Sequence, residues 1–138
     1  MRRILIAAMV FITPAIGWGQ GPDLKVAAEQ AREAWFGHNP AALVADSPRI
    51  LVQLPGAEPS VALGPDQAAA LLADFLASGQ EVETLVRAAR QVGPRRGYVE
   101  LQRKYRVAGT QNVRTQALLL GYRLGRQGWV LVEFRVVG

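Results

Sequence analysis

The stretch "WFGHNPAALVAD", residues 35–46, organises the first half of the chain, because a helix stop and a helix start follow each other within it. Before it, apolar residues at helical spacing follow Asp23, whose side chain suits an N-cap. Gly37 is the residue type that closes a helix in the left-handed conformation. Asn39 and Pro40 form an N-cap followed by proline in the first turn. The stretch therefore predicts one helix, a sharp hinge and a short second helix.

The elements that follow can be read from breaker residues and apolar periodicity. Residues 50–54 predict a strand, and a proline-rich loop separates it from a third helix that lies between Gly64 and Gly79. After Gly79 the period changes to two, which predicts four strands with short connections. These strands are expected at residues 82–92, 98–107, 113–124 and 129–137. The order predicts an α+β domain in which three N-terminal helices pack on one face of an antiparallel sheet.

The last predicted hairpin has two different faces. One face is apolar and is the expected seat of the helices: Val113, Ala117, Leu119, Val130, Val132, Phe134 and Val136. At one end of the opposite face lies a predicted ion-pair cluster of Arg114, Gln116, Glu133 and Arg135. At its other end lie Leu118, Leu120, Tyr122, Trp129 and Leu131. An exposed apolar patch of this kind usually marks a contact surface, so we expect a homodimer through the sheet.

The N-terminus has the layout of a secretory signal peptide. A basic start, an apolar run from Ile4 to Ile12 and a segment of breakers and small residues lie within residues 1–19. The apolar run is shorter than the roughly 20 residues that span a bilayer, so no stable span is expected after cleavage. We therefore expect residues 20–138 to form one exported domain, periplasmic or secreted. The chain has no cysteine, so disulfides and thiolate chemistry are excluded.

Charge is divided unevenly along the chain. The formal net charge is +5, but residues 20–86 carry −6 and residues 87–138 carry +9. Two explanations stay open: a surface for an anionic partner, or an acidic helical layer that neutralises a basic sheet. Export argues against nucleic acid as the partner, although tyrosines lie among the basic strands.

Four stretches together resemble the nuclear transport factor two-like superfamily, whose cone-shaped fold is related to ketosteroid isomerase and cystatin-like proteins. They are "AREAWFGHNPAALV", a strand ending in "LPG", "GPDQAAALLADFLASG" and "YRLGRQGWVLVEFRV". Within the superfamily, the chain is similar to a domain of unknown function in small exported bacterial proteins, where "QA" opens a helix and Glu-x-Arg ends the last strand. The resemblance spans about residues 24–137 and implies a curved sheet around a pocket.

Catalytic members of the superfamily hold an Asp or His base inside the cone, which makes His38 and Asp46 the candidates in this chain. Neither has a paired carboxylate, cysteine or second histidine at ligand spacing, so no metal or cofactor is expected. Four aromatic residues are expected either to line a pocket or to fill the core: Trp35, Phe36, Phe75 and Phe134.

Two functions are compatible with these residues. The first is an exported non-enzymatic domain that binds a small apolar or anionic ligand of the cell envelope, or a protein partner. The alternative is an isomerase- or hydrolase-like enzyme that uses the cone pocket, with His38 or Asp46 as the base.

Overall fold

The computed structural model describes residues 23–138, so the predicted signal peptide lies outside the described residues. The domain holds two long helices, one helical turn and five strands in the predicted order. The elements are α1 (Leu24–Phe36), α2 (Pro40–Leu43), β1 (Leu51–Gln53), α3 (Pro65–Leu76), β2 (Gly79–Gly93), β3 (Arg96–Val107), β4 (Val113–Gly125) and β5 (Gly128–Val137). The α+β class is confirmed, whereas α2 is a four-residue turn rather than a third full helix.

The hinge between α1 and α2 differs from the sequence prediction in one residue. His38, not Gly37, has the left-handed backbone, with a φ of 54° against −82° at Gly37. Gly37 still continues the helical hydrogen bonding, because its N–H donates to the Glu33 carbonyl over 2.9 Å. A Cβ at Gly37 would lie 3.1 Å from that carbonyl oxygen, which is closer than most Cβ contacts, so a residue without a side chain fits best here. Asn39 caps α2 as predicted and accepts from the Ala42 N–H at 3.2 Å.

The five strands form one sheet in the order β1-β5-β4-β3-β2. Strands β2 to β5 are antiparallel neighbours, but β1 pairs in parallel with β5 through Leu51 opposite Glu133. The prediction of a purely antiparallel sheet is therefore wrong at this edge. A parallel pair needs a long connection, and β1 and β5 are far apart in the sequence. No local signal therefore shows that these two strands are neighbours in the sheet. Three register shifts in β2 bend the sheet around the helices.

The core lies between the helices and the inner face of the sheet, and it corrects the predicted orientation of β4. Leu118, Leu120, Tyr122 and Leu131 are all at most 7% exposed and belong to this core. Trp129 is partly buried and packs against it. These five residues therefore do not form an exposed interface. Leu131 and Phe134 are three residues apart, so simple alternation along β5 would put them on opposite faces. A register shift between Gly121 and Tyr122 adds one unpaired residue to β5, and both side chains then lie on the inner face.

Candidate functional site

One end of the inner face is filled by aromatic side chains. Trp35 is fully buried on α1, and its ring stacks on Phe134 with a centroid distance of 5.2 Å. Phe75 from α3 lies 6.3 Å from the same tryptophan. Phe36 is 45% exposed, because successive helical residues point about 100° apart. Three of the four predicted aromatic residues therefore meet, and Phe36 does not join them.

A buried ion pair lies beside these rings. The guanidinium of Arg103 holds the Glu81 carboxylate with two nitrogens, Nε to Oε1 at 3.1 Å and Nη2 to Oε2. Both side chains are 2% exposed. Trp35 Nε1–H donates to Glu81 Oε1 at 2.9 Å, and Arg103 Nη1–H donates to Gln116 Oε1 at 3.0 Å. We call Trp35, Glu81, Arg103 and Gln116 the ion-pair network.

The network is enclosed on its open sides by rings. The Arg103 guanidinium carbon lies 3.9 Å from the Tyr105 ring centroid and 5.4 Å from that of Phe75. Cation–π contacts of this kind add attraction for a desolvated cation. The charges of the ion-pair network are therefore paired, hydrogen-bonded and covered by aromatic rings.

Sequence reasoning missed both charged members of the network. Arg103 follows Val99 and Leu101 in the inward-facing alternation of β3, so an arginine at a core position of the pattern was the available signal. Glu81 had no such signal, because it lies in the first residues of β2 next to a register shift. Their pairing depends on the β2–β3 register, which sets Glu81 opposite Tyr105.

The other end of the inner face is open and forms a cleft of about 300 Å³ between α1, the segment that follows it, and the sheet. We call it the helix–sheet cleft. Its wall on α1 is made mostly of alanines, which leave room that larger side chains would fill. The lining residues are Ala27, Gln30, Ala31, Ala34, Ala42, Leu43, Asp46, Ser47, Tyr122, Trp129 and Leu131.

Polar side chains line the helix–sheet cleft beside its alanines and leucines: Gln30, Asp46, Ser47, Tyr122 and Trp129. Asp46 is the one charged residue among those that line it, and its exposed position puts the carboxylate at the rim. Burial raises the pKa of the Tyr122 phenol well above its ordinary value, so the phenol stays neutral and able to donate. The cleft therefore offers apolar walls, one carboxylate and neutral hydrogen-bonding groups.

The chain resembles known proteins in structure but not in sequence. No protein-family model matches the chain, and no curated protein matches it in sequence. A ketosteroid isomerase-like protein from Erwinia carotovora atroseptica is similar over 82% of this chain and 91% of its own, at 16% identity and a TM-score of 0.67. A DUF4783 family protein from Bacteroides uniformis matches over 79% and 94%, at 14% identity and a TM-score of 0.64. The chain has the nuclear transport factor two-like fold.

A third relative of this fold was solved with a ligand. It is a protein from Catenulispora acidiphila with a ketosteroid isomerase-like fold, in complex with trimethylamine. It matches 86% of this chain and 87% of its own, at 16% identity and a TM-score of 0.63. The predicted resemblance to nuclear transport factor two-like proteins is confirmed as a likeness of fold.

Within this nuclear transport factor two-like fold, the two candidate bases lie in different places. Asp46 lines the helix–sheet cleft, whereas His38 is exposed in the hinge and does not line that cleft. The described residues include no group of three or more His, Cys, Asp or Glu side chains that could hold a metal ion. Within residues 23–138, no helix is long and apolar enough to cross a bilayer.

The predicted polar cluster on the last hairpin is divided between two faces of the sheet. Gln116 is buried on the inner face, where it belongs to the ion-pair network. Glu133 and Arg135 form a half-exposed pair at 4.0 Å. Arg114 is exposed near the start of β4 and pairs in register with Tyr105. The prediction of one four-residue cluster is therefore wrong, and only Glu133 and Arg135 pair as expected.

Proposed function

We propose that this chain is a small-ligand-binding domain and that its ligand occupies the helix–sheet cleft. The observation that supports this proposal best is the cleft itself, which is open at the end of the inner face away from the ion-pair network. Nuclear transport factor two-like relatives of unknown function, and one relative solved with a bound small amine, support a binding role.

The lining is part apolar and part polar, so it favours a compact ligand that combines an aliphatic portion with a positive or hydrogen-bond-donating group. The alanines of α1 accept aliphatic groups, and Asp46 attracts a cation or accepts a hydrogen bond at the rim. Tyr122 and Trp129 add aromatic walls. An anionic ligand, which the sequence left open, is disfavoured here because it would meet the Asp46 carboxylate.

Trimethylamine, which is protonated at neutral pH, is the first probe for this cleft. Titration followed by NMR should shift signals of cleft residues, with weaker effects from neutral tert-butanol and from acetate. Asp46→Asn should weaken binding of the cation about 2- to 5-fold, as expected for an exposed charge pair. Equal binding of all three probes, or no binding together with no ligand co-purifying in native mass spectrometry, would contradict the proposal.

A steric variant tests the place of binding independently of charge. Ala34→Leu adds three carbons inside the cleft and should abolish binding. Ala73→Leu is the matched control, because Ala73 is exposed on α3 and does not line the cleft. Loss of binding in both variants, or in neither, would place the ligand elsewhere.

The enzymatic alternative rests on Asp46, the candidate base that lies in the cleft. An isomerase- or hydrolase-like reaction would need this carboxylate to take a proton from a bound substrate. Turnover that Asp46→Asn abolishes and His38→Ala leaves unchanged would favour the enzyme over the binding domain.

We also propose that the domain is exported, on the basis of the signal-peptide layout of residues 1–19. Mass spectrometry of the protein from a periplasmic fraction should find a new N-terminus near residue 20. Intact protein retained in the cytoplasm would refute export.

Self-association through the sheet is proposed on the outer face, with residues different from those first expected. Leu119 lies between the inward-facing core residues Leu118 and Leu120, and Leu85 follows the buried Thr84, so both stand on that outer face, where Leu85 is 38% exposed. Light scattering should give a dimer that Leu119→Glu dissociates, while Val61→Glu in an exposed loop leaves it intact. A monomeric wild type would contradict this proposal.

A further inference from the structure

Two arginines stand directly opposite each other on the outer face of the sheet. Arg96 at the start of β3 pairs in register with Arg123 near the end of β4, and both are exposed. Directly opposed side chains have Cβ atoms about 4.5–5.5 Å apart, and like charges in such a pair are destabilising. Among residues 23–138, neither arginine has a carboxylate within 4.0 Å.

These arginines border a pocket of about 300 Å³ on the outer face, which we call the arginine pocket. Gly121 lies on the floor of the pocket and brings no side chain into it; a Cβ there would be in ordinary contact with the Glu133 side chain. Tyr98 and Glu133 form further walls, and the Glu133 carboxylate is already shared with Arg135 at 4.0 Å. The pocket's two arginines lie on the face of the sheet opposite the helix–sheet cleft, and Tyr122 is the lining residue common to both.

We propose that Arg96 and Arg123 bind a phosphate group in the arginine pocket. A guanidinium presents a rigid fork of N–H donors that matches phosphate and carboxylate oxygens. A carboxylate has two oxygens and is satisfied by one such fork, whereas a phosphate has enough oxygens for both. A dianion between the two arginines also converts their mutual repulsion into attraction. The charge of +9 on residues 87–138 adds a favourable field around the site.

Inorganic phosphate is the probe for this site, and thermal shift and calorimetry on the purified protein are the measurements. Phosphate should raise the melting temperature of the wild type, and Arg96→Gln or Arg123→Gln should weaken its binding about 10-fold or more. Arg114→Gln is the matched control, because this arginine is also exposed on β4 and lies outside the pocket. Glu133→Gln should tighten binding, since it removes a negative charge from the pocket wall.

The phosphate-free protein gives a second readout that separates binding from folding. Arg123→Gln should raise the melting temperature by about 1–4 °C without phosphate, because it removes the opposed like charges. The same variant should lose the additional stabilisation by phosphate. A lower melting temperature without phosphate would show that Arg123 supports the fold, and it would overturn the argument from repulsion.

Vesicles distinguish a free phosphate compound from a lipid headgroup as the source of the group. Binding to vesicles with 30% phosphatidylglycerol, lost in Arg96→Gln and absent with phosphatidylcholine alone, would assign the site to a headgroup. Phosphate binding without vesicle binding would assign it to a soluble phosphate compound. If Arg114→Gln and Arg123→Gln weaken binding equally, the positive charge of the whole region binds the anion, and the proposed site is overturned. The proposal is also overturned if neither phosphate nor the vesicles bind.

Discussion

Removal of the Glu81 negative charge should destabilise the fold more than any exposed charge change. Glu81→Gln keeps the shape of the side chain and an acceptor for Trp35 Nε1, but it leaves the buried Arg103 guanidinium without a counter-charge. The substitution therefore isolates the cost of one unpaired charge inside the cone.

The magnitude follows from burial. Both partners are 2% exposed, and breaking such a buried pair by removing one member costs about 3–5 kcal/mol. Single domains are stable by about 5–15 kcal/mol, so this loss is a large part of the whole. With a urea m-value of about 1.5 kcal/mol/M, the unfolding midpoint should fall by about 2–3 M.

The neighbouring pair supplies a matched control for this measurement. Glu83 lies two residues further along β2 and pairs with Lys104 at 3.9 Å, but these side chains are 49% and 45% exposed. Glu83→Gln should therefore cost at most about 1 kcal/mol. Urea unfolding followed by circular dichroism and tryptophan fluorescence compares the two variants directly.

A double variant tests whether charge pairing is the cause. Glu81→Gln combined with Arg103→Met leaves no buried charge, so it should be more stable than either single variant. Equal effects of Glu81→Gln and Glu83→Gln, or additive effects of Glu81→Gln and Arg103→Met, would refute the reasoning.

Four further substitutions have expected results that unfolding experiments can check. Gly97→Ala would place a Cβ 2.9 Å from a Leu24 methyl group and 3.2 Å from the Trp129 ring, and it should cost about 1–3 kcal/mol. Gly64→Ala meets nothing within 4 Å, but alanine is a poorer N-cap of α3 than glycine, so it should cost less, at most about 1 kcal/mol. Burial raises the pKa of Tyr122 above its unfolded value of about 10, so above pH 10 the unfolded state loses the phenol proton first and the wild type loses stability. Tyr122→Phe has no such proton, so its stability should fall less steeply, by up to about 1.4 kcal/mol less per pH unit. His38→Gly should stabilise the protein by about 0.5 kcal/mol, since glycine adopts a φ of 54° without steric cost; a loss of stability would contradict this.

The number and order of the elements could be predicted because their signals are local. Breakers such as Asn39, Pro40 and Gly64 lie within one or two residues of the helix boundaries that they predict. The change from helical to alternating periodicity after Gly79 coincides with the start of β2. The inward face of β4 could not be predicted as reliably, because both of its faces carry leucines and the choice depends on pairing with β5.

The sequence could suggest single candidate residues, but it could not show which residues come together in a site. Asp46 was a candidate only through the family resemblance, which calls for an Asp or His base, and the structure places it at the rim of the helix–sheet cleft. The opposition of Arg96 and Arg123 is invisible in sequence, because their positions are 27 residues apart and meet only through the β3–β4 register.

By itself, the sequence determined the α+β class, the hinge and caps, the charge asymmetry and the absence of cysteine, since each depends on composition or on neighbouring residues. Tertiary structure decided which face of β4 is buried, the parallel pairing of β1 with β5 and the pairing of Glu81 with Arg103. These features depend on strand register, and a shift of one residue in register moves every side chain to the other face.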